Sequence, residues 1–505
     1  MKILLVLALL AAIGLLPFIY GRQHNFIYVS TSGNDASGDG TREAPWRTIH
    51  YATTQAKEGQ TLKLSDGIFA EEPFTVPPGV NIEGQGKTRT IIKPNPSFYY
   101  NPPKPGFTPE KYLIHFSSPE PTPGNQYIKK LMIDGENKRL HGGIYINRRN
   151  GLHVEDIRIQ NTNFNGLWLW DTDDTRVTNV ELKDCSWGSV DWCNGALDIG
   201  NVKNIIIENC IIDEGTGYGI KSLGPDNAQA VQLVIHHSHI SVNPKGLWNN
   251  GMAPNISIEL FNLKNSQIHD CYIDNHISVA GNDTLSAEKS IRIHHNTIDL
   301  DNRAGGQGYG IELNINNVEV DNNFFIKGFY GIVNWGAAKQ QWDIHHNVFY
   351  GLQSIYPTEV LRSQTTGLHN VRLHNNTVEL TGTTPVNLVG VYGGNSNGIS
   401  IMNNLVIDAG GDKTSRFNEV LYTATGTTLN GVVISSNFFE RLSPSEAKKY
   451  LKENYTGKHG IMRSGNKPLP YYMLKKGSSL IDAGQEAGYA YEGKMPDVGA
   501  YEYKN

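Results

Sequence analysis

Ile291-Arg292-Ile293-His294-His295-Asn296-Thr297-Ile298 and, one unit later, Val318-Glu319-Val320-Asp321-Asn322-Asn323-Phe324-Phe325 have the same shape. Each is a β-branched or aliphatic triplet, a polar pair, a small polar residue and a hydrophobic pair. Eleven such segments recur about every 27 residues, with the small polar position at Thr162, Cys185, Cys210, Ser238, Cys271, Asn296, Asn323, Asn347, Asn376, Asn404 and Asn437. A fixed period of this length marks a solenoid. Each unit offers only strand-length runs rich in Ile and Val, separated by Asn, Asp and Gly, with no helical spacing. The expected fold is therefore all-β, a parallel β-helix in which stacked turns share one core. Identical polar side chains at a tight turn then stack rung upon rung, so the asparagines from 296 to 437 predict an amide ladder.

Other segments bound the coil. Residues 44–57, with Trp46, Ile49, Ala52 and Ala56 at helical spacing, predict a short helix over the first rung. Ser443-Pro444-Ser445-Glu446 is a capping box with Pro at the first helical position, which predicts a second capping helix to about Tyr455. The coil itself is expected over 24–440, interrupted by a Pro-rich surface loop at 94–123, and the closing segment over 441–505. Met1-Lys2 and the apolar run Ile3 to Ile19 have the charged start and hydrophobic centre of an export signal. Residues 1–21 are expected to be removed, with an uncleaved N-terminal anchor as the alternative. The protein is thus expected to be exported, periplasmic or extracellular, and to work as a monomer.

Fifty-three glycines and 18% charged residues among 505 describe a turn-rich β protein. A formal net charge of -5 without a Lys/Arg cluster gives no reason to expect nucleic acid. Cys185, Cys210 and Cys271 fall on the ladder position, where a small buried side chain is wanted, so stacked thiols are favoured over a disulfide. His236, His237, His294, His295, His345, His346 and His374 belong to the ladder-side turn, and no metal site is expected there.

Tyr28-Val29-Ser30-Thr31-Ser32-Gly33-Asn34-Asp35, Pro45-Trp46 and Thr48-Ile49 open the chain. Ile481-Asp482-Ala483-Gly484 and Asp497-Val498-Gly499-Ala500-Tyr501-Glu502 close it. With the repeat, they resemble the pectate lyase-like family of secreted right-handed parallel β-helix proteins that act on carbohydrates. The resemblance covers most of the mature chain and implies a right-handed coil and a polysaccharide partner. It marks architecture rather than a reaction.

Alternation along the strands of one face sends aliphatic residues inward and leaves an outward column: Tyr145, Trp168 with Trp170, Asp198, Lys221, Glu259, Ser278 and Glu312. Tyr145, Trp168, Trp170 and Trp248 are candidate sugar-stacking rings, and His276 is a candidate partner for a substrate hydroxyl. The alternative for Trp168 and Trp170 is that they pack under the 94–123 insertion. Asp198, Glu259 and Glu312 lie two rungs apart in pairs, roughly 9 to 10 Å at the backbone. That suits a carboxyl acid and a carboxylate base in inverting glycoside hydrolysis, which needs no cofactor. Lys221 stands between two of them.

Other readings stay open. Asp198, Lys221 and Glu259 could form a surface ion-pair ladder without catalytic meaning. Gly219-Ile220-Lys221-Ser222 resembles a strand of the polygalacturonases, but Gly215 and Thr216 stand where those enzymes carry paired aspartates. A lyase or epimerase acting on a uronate-containing glycan would use Lys221 as base, with Ca²⁺ on carboxylates. A glycan-binding adhesin needs only the aromatics and the groove.

Overall fold

A computed structural model describes residues 25–97, 109–186, 194–214, 217–222, 228–242, 256–281, 290–301, 308–336, 339–353, 357–381, 384–408, 417–441 and 472–504. The expected leader (1–21), the helix at 443–455, Cys193 and Trp248 lie outside these residues.

Among the described residues the regular coils contribute three strands each. Thr297–Asp299, Tyr309–Asn314 and Val318–Asp321 make one turn, and Phe324–Ile326, Tyr330–Asn334 and Lys339–His345 make the next. Each strand pairs in parallel with its successor one coil on, Ile298 with Phe325, Ile311 with Ile332 and Val320 with Ile344. Parallel pairing through such crossovers takes the right-handed sense. The result is a right-handed parallel β-helix. On the face bearing the outward column, Leu167, Leu197, Ile220, Ile258, Ile277, Ile311, Ile332, Leu361 and Val389 follow one another rung by rung. All are buried, and burying each such side chain is worth about 2 kcal/mol.

The repeat signature has a backbone cause. The residue before each ladder position is left-handed: Asn161, Asp184, Asn209, His237, Asp270, His295, Asn322, His346, Asn375, Asn403 and Ser436 all have φ between 49° and 57°. Asn, Asp and His tolerate that region better than other side chains with a Cβ, which explains the recurring polar pair. The ladder amides then bond twice to the next rung. Asn323 donates its backbone N–H (2.9 Å) and its Nδ2 (3.0 Å) to Asn347 Oδ1, and Asn347 does the same to Asn376 at 3.0 Å each. Asn347 Nδ2 also reaches the buried carbonyls of Val320 (2.8 Å) and His345 (2.9 Å). Cys185, Cys210 and Cys271 occupy the earlier rungs as buried free thiols. Burial pushes the thiol of Cys210 up to about 11 and that of Cys271 up to about 12, which leaves them inert.

Both ends use the quoted motifs. The capping helix spans Ile49–Gln55, shorter than 44–57, with Thr48 Oγ1 accepting from Tyr51 N (3.2 Å). Trp46 is not helical but forms an isolated bridge with Val29, and Asp35 accepts from Arg47 N (2.7 Å) and Thr48 N (3.1 Å). Gly33 is required because a Cβ would lie 2.4 Å from the Trp46 carbonyl oxygen. The closing segment lies along the flank of the coil. Tyr472, Leu474, Leu480, Val498 and Ala500 pack on Phe324, Ile326, Val348, Leu405 and Ile407, which accounts for strands there that are apolar on both faces. Asp497 holds this segment by accepting from Asp482 N (2.7 Å) and Tyr503 N (2.6 Å).

The 94–123 interval differs from expectation. From Tyr112 onward it is strand, not surface loop, and Tyr112–Asp134 pairs with Gly142–Gln160 over most of its length. Leu113, Ile114 and Phe116 supply core side chains that outweigh the prolines around them.

The histidines form a stacked column on the ladder side. His236, His269 and His294 stack at 5.0 and 4.7 Å, and His345, His374 and Tyr489 at 5.1 and 5.0 Å. Glu319, Asp321 and His345 cluster tightly enough to suggest a cation, yet the Arg292 guanidinium donates two 2.7 Å bonds to Asp321. A positive charge already sits there.

Two outcomes follow. Asn347→Ala strands the Val320 carbonyl and the Asn323 amide in the interior, and unfolding in urea should show a loss of about 2–4 kcal/mol. Glu379, between Tyr350 and Ile407, is buried and pushed up to about 7. Its folded form is neutral below that pH and must ionise in an apolar setting above it. Stability relative to Glu379→Gln should therefore fall by about 2–3 kcal/mol between pH 5 and pH 8. A pH-independent difference would contradict this.

Candidate functional site

The outward column is in register across the coil. His115, Tyr145, Trp168, Asp198, Lys221, Glu259, Ser278, Glu312, Val333 and Arg362 occupy equivalent positions on successive strands. Strand pairing therefore places every carboxylate of the predicted set on one line, and side-chain environment divides it into three parts.

The first part is not an open sugar platform. Tyr145 and Trp168 are 6% and 4% exposed and cluster with Tyr112 and Phe164, with Trp170 against the edge. Tyr145 lies 5.6 Å from Trp168 and 5.4 Å from Tyr112, ring centre to ring centre. Large rings on adjacent rungs bury one another when a third strand supplies another ring, here Tyr112. This corrects the expectation of exposed stacking rings and bears out the alternative for Trp168, since Tyr112 belongs to the 94–123 interval. Trp170 keeps partial exposure. His276 is also buried, its ring 4.8 Å from that of Tyr309.

The second part holds the ionisable groups. Asp198 is fully buried; one oxygen accepts from Asn165 Nδ2 and the other from Gly195 N, each at 2.8 Å. Burial pushes it up to about 7 against these hydrogen bonds and the Lys221 charge. Lys221 Nζ does not bridge Asp198 and Glu259 evenly. It contacts Glu259 Oε2 at 2.7 Å and lies 4.1 Å from the centre of the Tyr218 ring. Both ion-pair side chains are 15% exposed. Glu312 accepts from Ser278 Oγ (3.0 Å) and Asn314 Nδ2 (2.6 Å). Burial raises it above the usual carboxylate range; the two hydrogen bonds oppose that shift and the Glu259 charge adds to it.

The third part was not read from the sequence. Tyr309 and Trp335 rings lie 5.8 Å apart, and Trp335 and Tyr330 6.4 Å. The Arg362 guanidinium lies 4.7 Å from the Tyr330 ring and 3.7 Å from the Tyr392 ring, and Tyr392 meets Tyr422 at 5.2 Å. Its signal was a recurring triplet, Tyr218-Gly219-Ile220, Tyr309-Gly310-Ile311 and Tyr330-Gly331-Ile332, which places a tyrosine at the start of groove strands.

Residues 31–256 match a family model described as a protein of unknown function, DUF1565. No curated protein matches the chain. Similar solved structures include the pectate lyase Pel9A, at 15% identity and a TM-score of 0.38 over 95% of this chain and 96% of that one. The catalytic domain of a GH87 alpha-1,3-glucanase has 11% identity and a TM-score of 0.41 over 83% and 68%. The polygalacturonase from Erwinia carotovora has 15% identity and a TM-score of 0.35 over 77% and 96%. None of these similarities transfers a residue or a reaction to this chain.

The geometry sets the fully buried Asp198 apart from Glu259 and Glu312, which keep partial exposure. Asp198→Ala should lower the melting temperature sharply, because the Asn165 amide and Gly195 N–H lose their acceptor, while Asp198→Asn, which keeps one acceptor oxygen, should lose less. Thermal unfolding of the pair measures this.

Proposed function

We propose that the protein is an exported enzyme that hydrolyses glycosidic bonds of a polysaccharide with inversion, using Glu312 as general acid and Glu259 as general base. The observation that carries this reading is the contrast between the two carboxyls. They are separated by the Ser278 rung alone; Glu259 faces an ammonium group at 2.7 Å, while Glu312 is raised by burial and by the Glu259 charge. A carboxyl whose surroundings favour its protonated form suits the acid, and the neighbouring carboxylate the base. Two rungs of about 4.8 Å leave a gap at the backbone close to the span of inverting pairs, with room for a water.

In this scheme Glu312 protonates the leaving oxygen while Glu259 takes a proton from water on the opposite side of the sugar ring. Lys221 positions Glu259 and supplies compensating charge. Ser278 and Asn314 fix the orientation of Glu312. Asp198, buried and accepting from Asn165 and Gly195, has a structural role rather than that of acid or base. Export rests on the charged start and apolar run of residues 1–19.

The lyase or epimerase reading asks more of the site. A lysine that abstracts a proton must first be neutral, and Lys221 lies against a carboxylate. Ca²⁺ would have to take Glu259 from Lys221 before that amine could act.

Glu312→Gln and Glu259→Gln should each lower kcat by about 10²–10⁴ on the preferred glycan while leaving the fold intact. Activity should fall as pH rises through the raised Glu312 value, since the acid is then lost. Product analysis on a polysaccharide panel decides the reaction class: saturated reducing ends are expected, and an unsaturated sugar would overturn the hydrolase reading.

A further inference from the structure

Beyond Glu312 the column continues through Val333 to Arg362 and Gly390. Here the strands border a cavity of about 430 Å³ lined by Tyr330, Arg362, Asn387, Tyr392 and Tyr422 among others, within the usual size range of ligand pockets. Glu359 lies beneath it, fully buried. It accepts from Arg362 Nη1 (2.9 Å), Tyr392 Oη (2.6 Å) and Asn387 Nδ2 (3.2 Å). Arg362 Nε donates to Gln364 Oε1 at 2.5 Å. The guanidinium is thereby held in place over the Tyr330 and Tyr392 rings. Gly390 makes the seat possible, because a Cβ there would lie 2.7 Å from Glu359 Cγ. Trp335, 36% exposed, extends the aromatic surface toward Tyr309.

We propose that Tyr330, Trp335, Arg362 and Tyr392 form a binding subsite for a neutral pyranose unit of the glycan, on the C-terminal side of Glu312. This deepens the hydrolase reading and rests on it for the direction in which the chain lies. Three features select the ligand class. Rigid rings offer flat apolar surface to the C–H face of a sugar. The buried Glu359 carboxylate matches the Arg362 charge, so the pocket presents a neutral ion pair rather than a bare cation. A uronate carboxylate would have to compete with Glu359 for that guanidinium, and a buried charge pair is costly to break. Hydroxyl groups can instead accept from the outer edge of Arg362 without displacing it. The tyrosines are braced before any ligand arrives, which lowers the ordering cost of binding.

The test measures binding without turnover. Glu312→Gln protein is titrated calorimetrically with neutral oligosaccharides, gluco-, galacto- and xylo-configured, and in parallel with oligogalacturonates and oligomannuronates. The expected result is saturable binding of at least one neutral series, weakened at least tenfold by Trp335→Ala and by Tyr330→Ala, with Tyr330→Phe restoring it. Tighter binding of an oligouronate, no binding by any neutral series, or neutral binding indifferent to Trp335→Ala would each overturn the proposal. Trp335 is exposed, so its replacement keeps the test meaningful if Tyr330→Ala fails to fold. Failure of the hydrolase reading shows itself separately, as Glu259→Gln and Glu312→Gln proteins that turn substrate over normally while neutral binding persists.

Discussion

The amide of each ladder asparagine is the interaction on which the remaining structure depends. It accepts from the backbone of the preceding rung and donates to core-side carbonyls, where an unpaired polar group would cost a large fraction of a domain's net stability. A left-handed residue immediately before it turns the chain sharply, and the amide fixes where that turn sits relative to its neighbours. Coil-to-coil register is therefore set at one corner and transmitted along every strand. A shift of one residue on the opposite face would exchange Ile258 for Glu259 in the core, and the stacked aliphatic rows make that prohibitive.

Register gives the groove its chemistry. Because equivalent positions repeat at strand spacing, side chains on successive rungs are held close without help from loops. Lys221 meets Glu259 on the next rung, and Ser278 meets Glu312. Two acidic groups of the same type thus acquire different surroundings, one opposite a cation and the other half-sequestered beside a hydroxyl and an amide. Farther along, the same spacing slots Arg362 between aromatic rings.

Much of this was legible in the chain. The period, the ladder residues, the inward and outward alternation and the in-line carboxylates followed from residue type and spacing alone. Burial on the outward face did not. Tyr145 and Trp168 alternate outward yet are covered by each other and by Tyr112, which lies in the stretch of the Tyr112–Asp134 strand, residues 112–123, that its prolines made read as loop. Asp198 has an outward position, but hydrogen bonds from Asn165 and Gly195 hold it below the surface. The Arg362 pocket escaped because its parts, Tyr330, Glu359, Arg362 and Tyr392, sit on three coils and become one site only when stacked. Apolar residues on both faces of the Phe324–Ile326 and Leu405–Asp408 strands likewise made sense only once the closing segment was seen to lie over them.

The central functional claim is that Glu259 and Glu312 act across a water on opposite sides of one sugar ring. Proton NMR of the first-formed reducing sugar, recorded before mutarotation, tests it most directly. The account predicts an anomeric configuration opposite to that of the bond cleaved. Retention of configuration, which needs carboxyls closer together and a covalent intermediate, would contradict it.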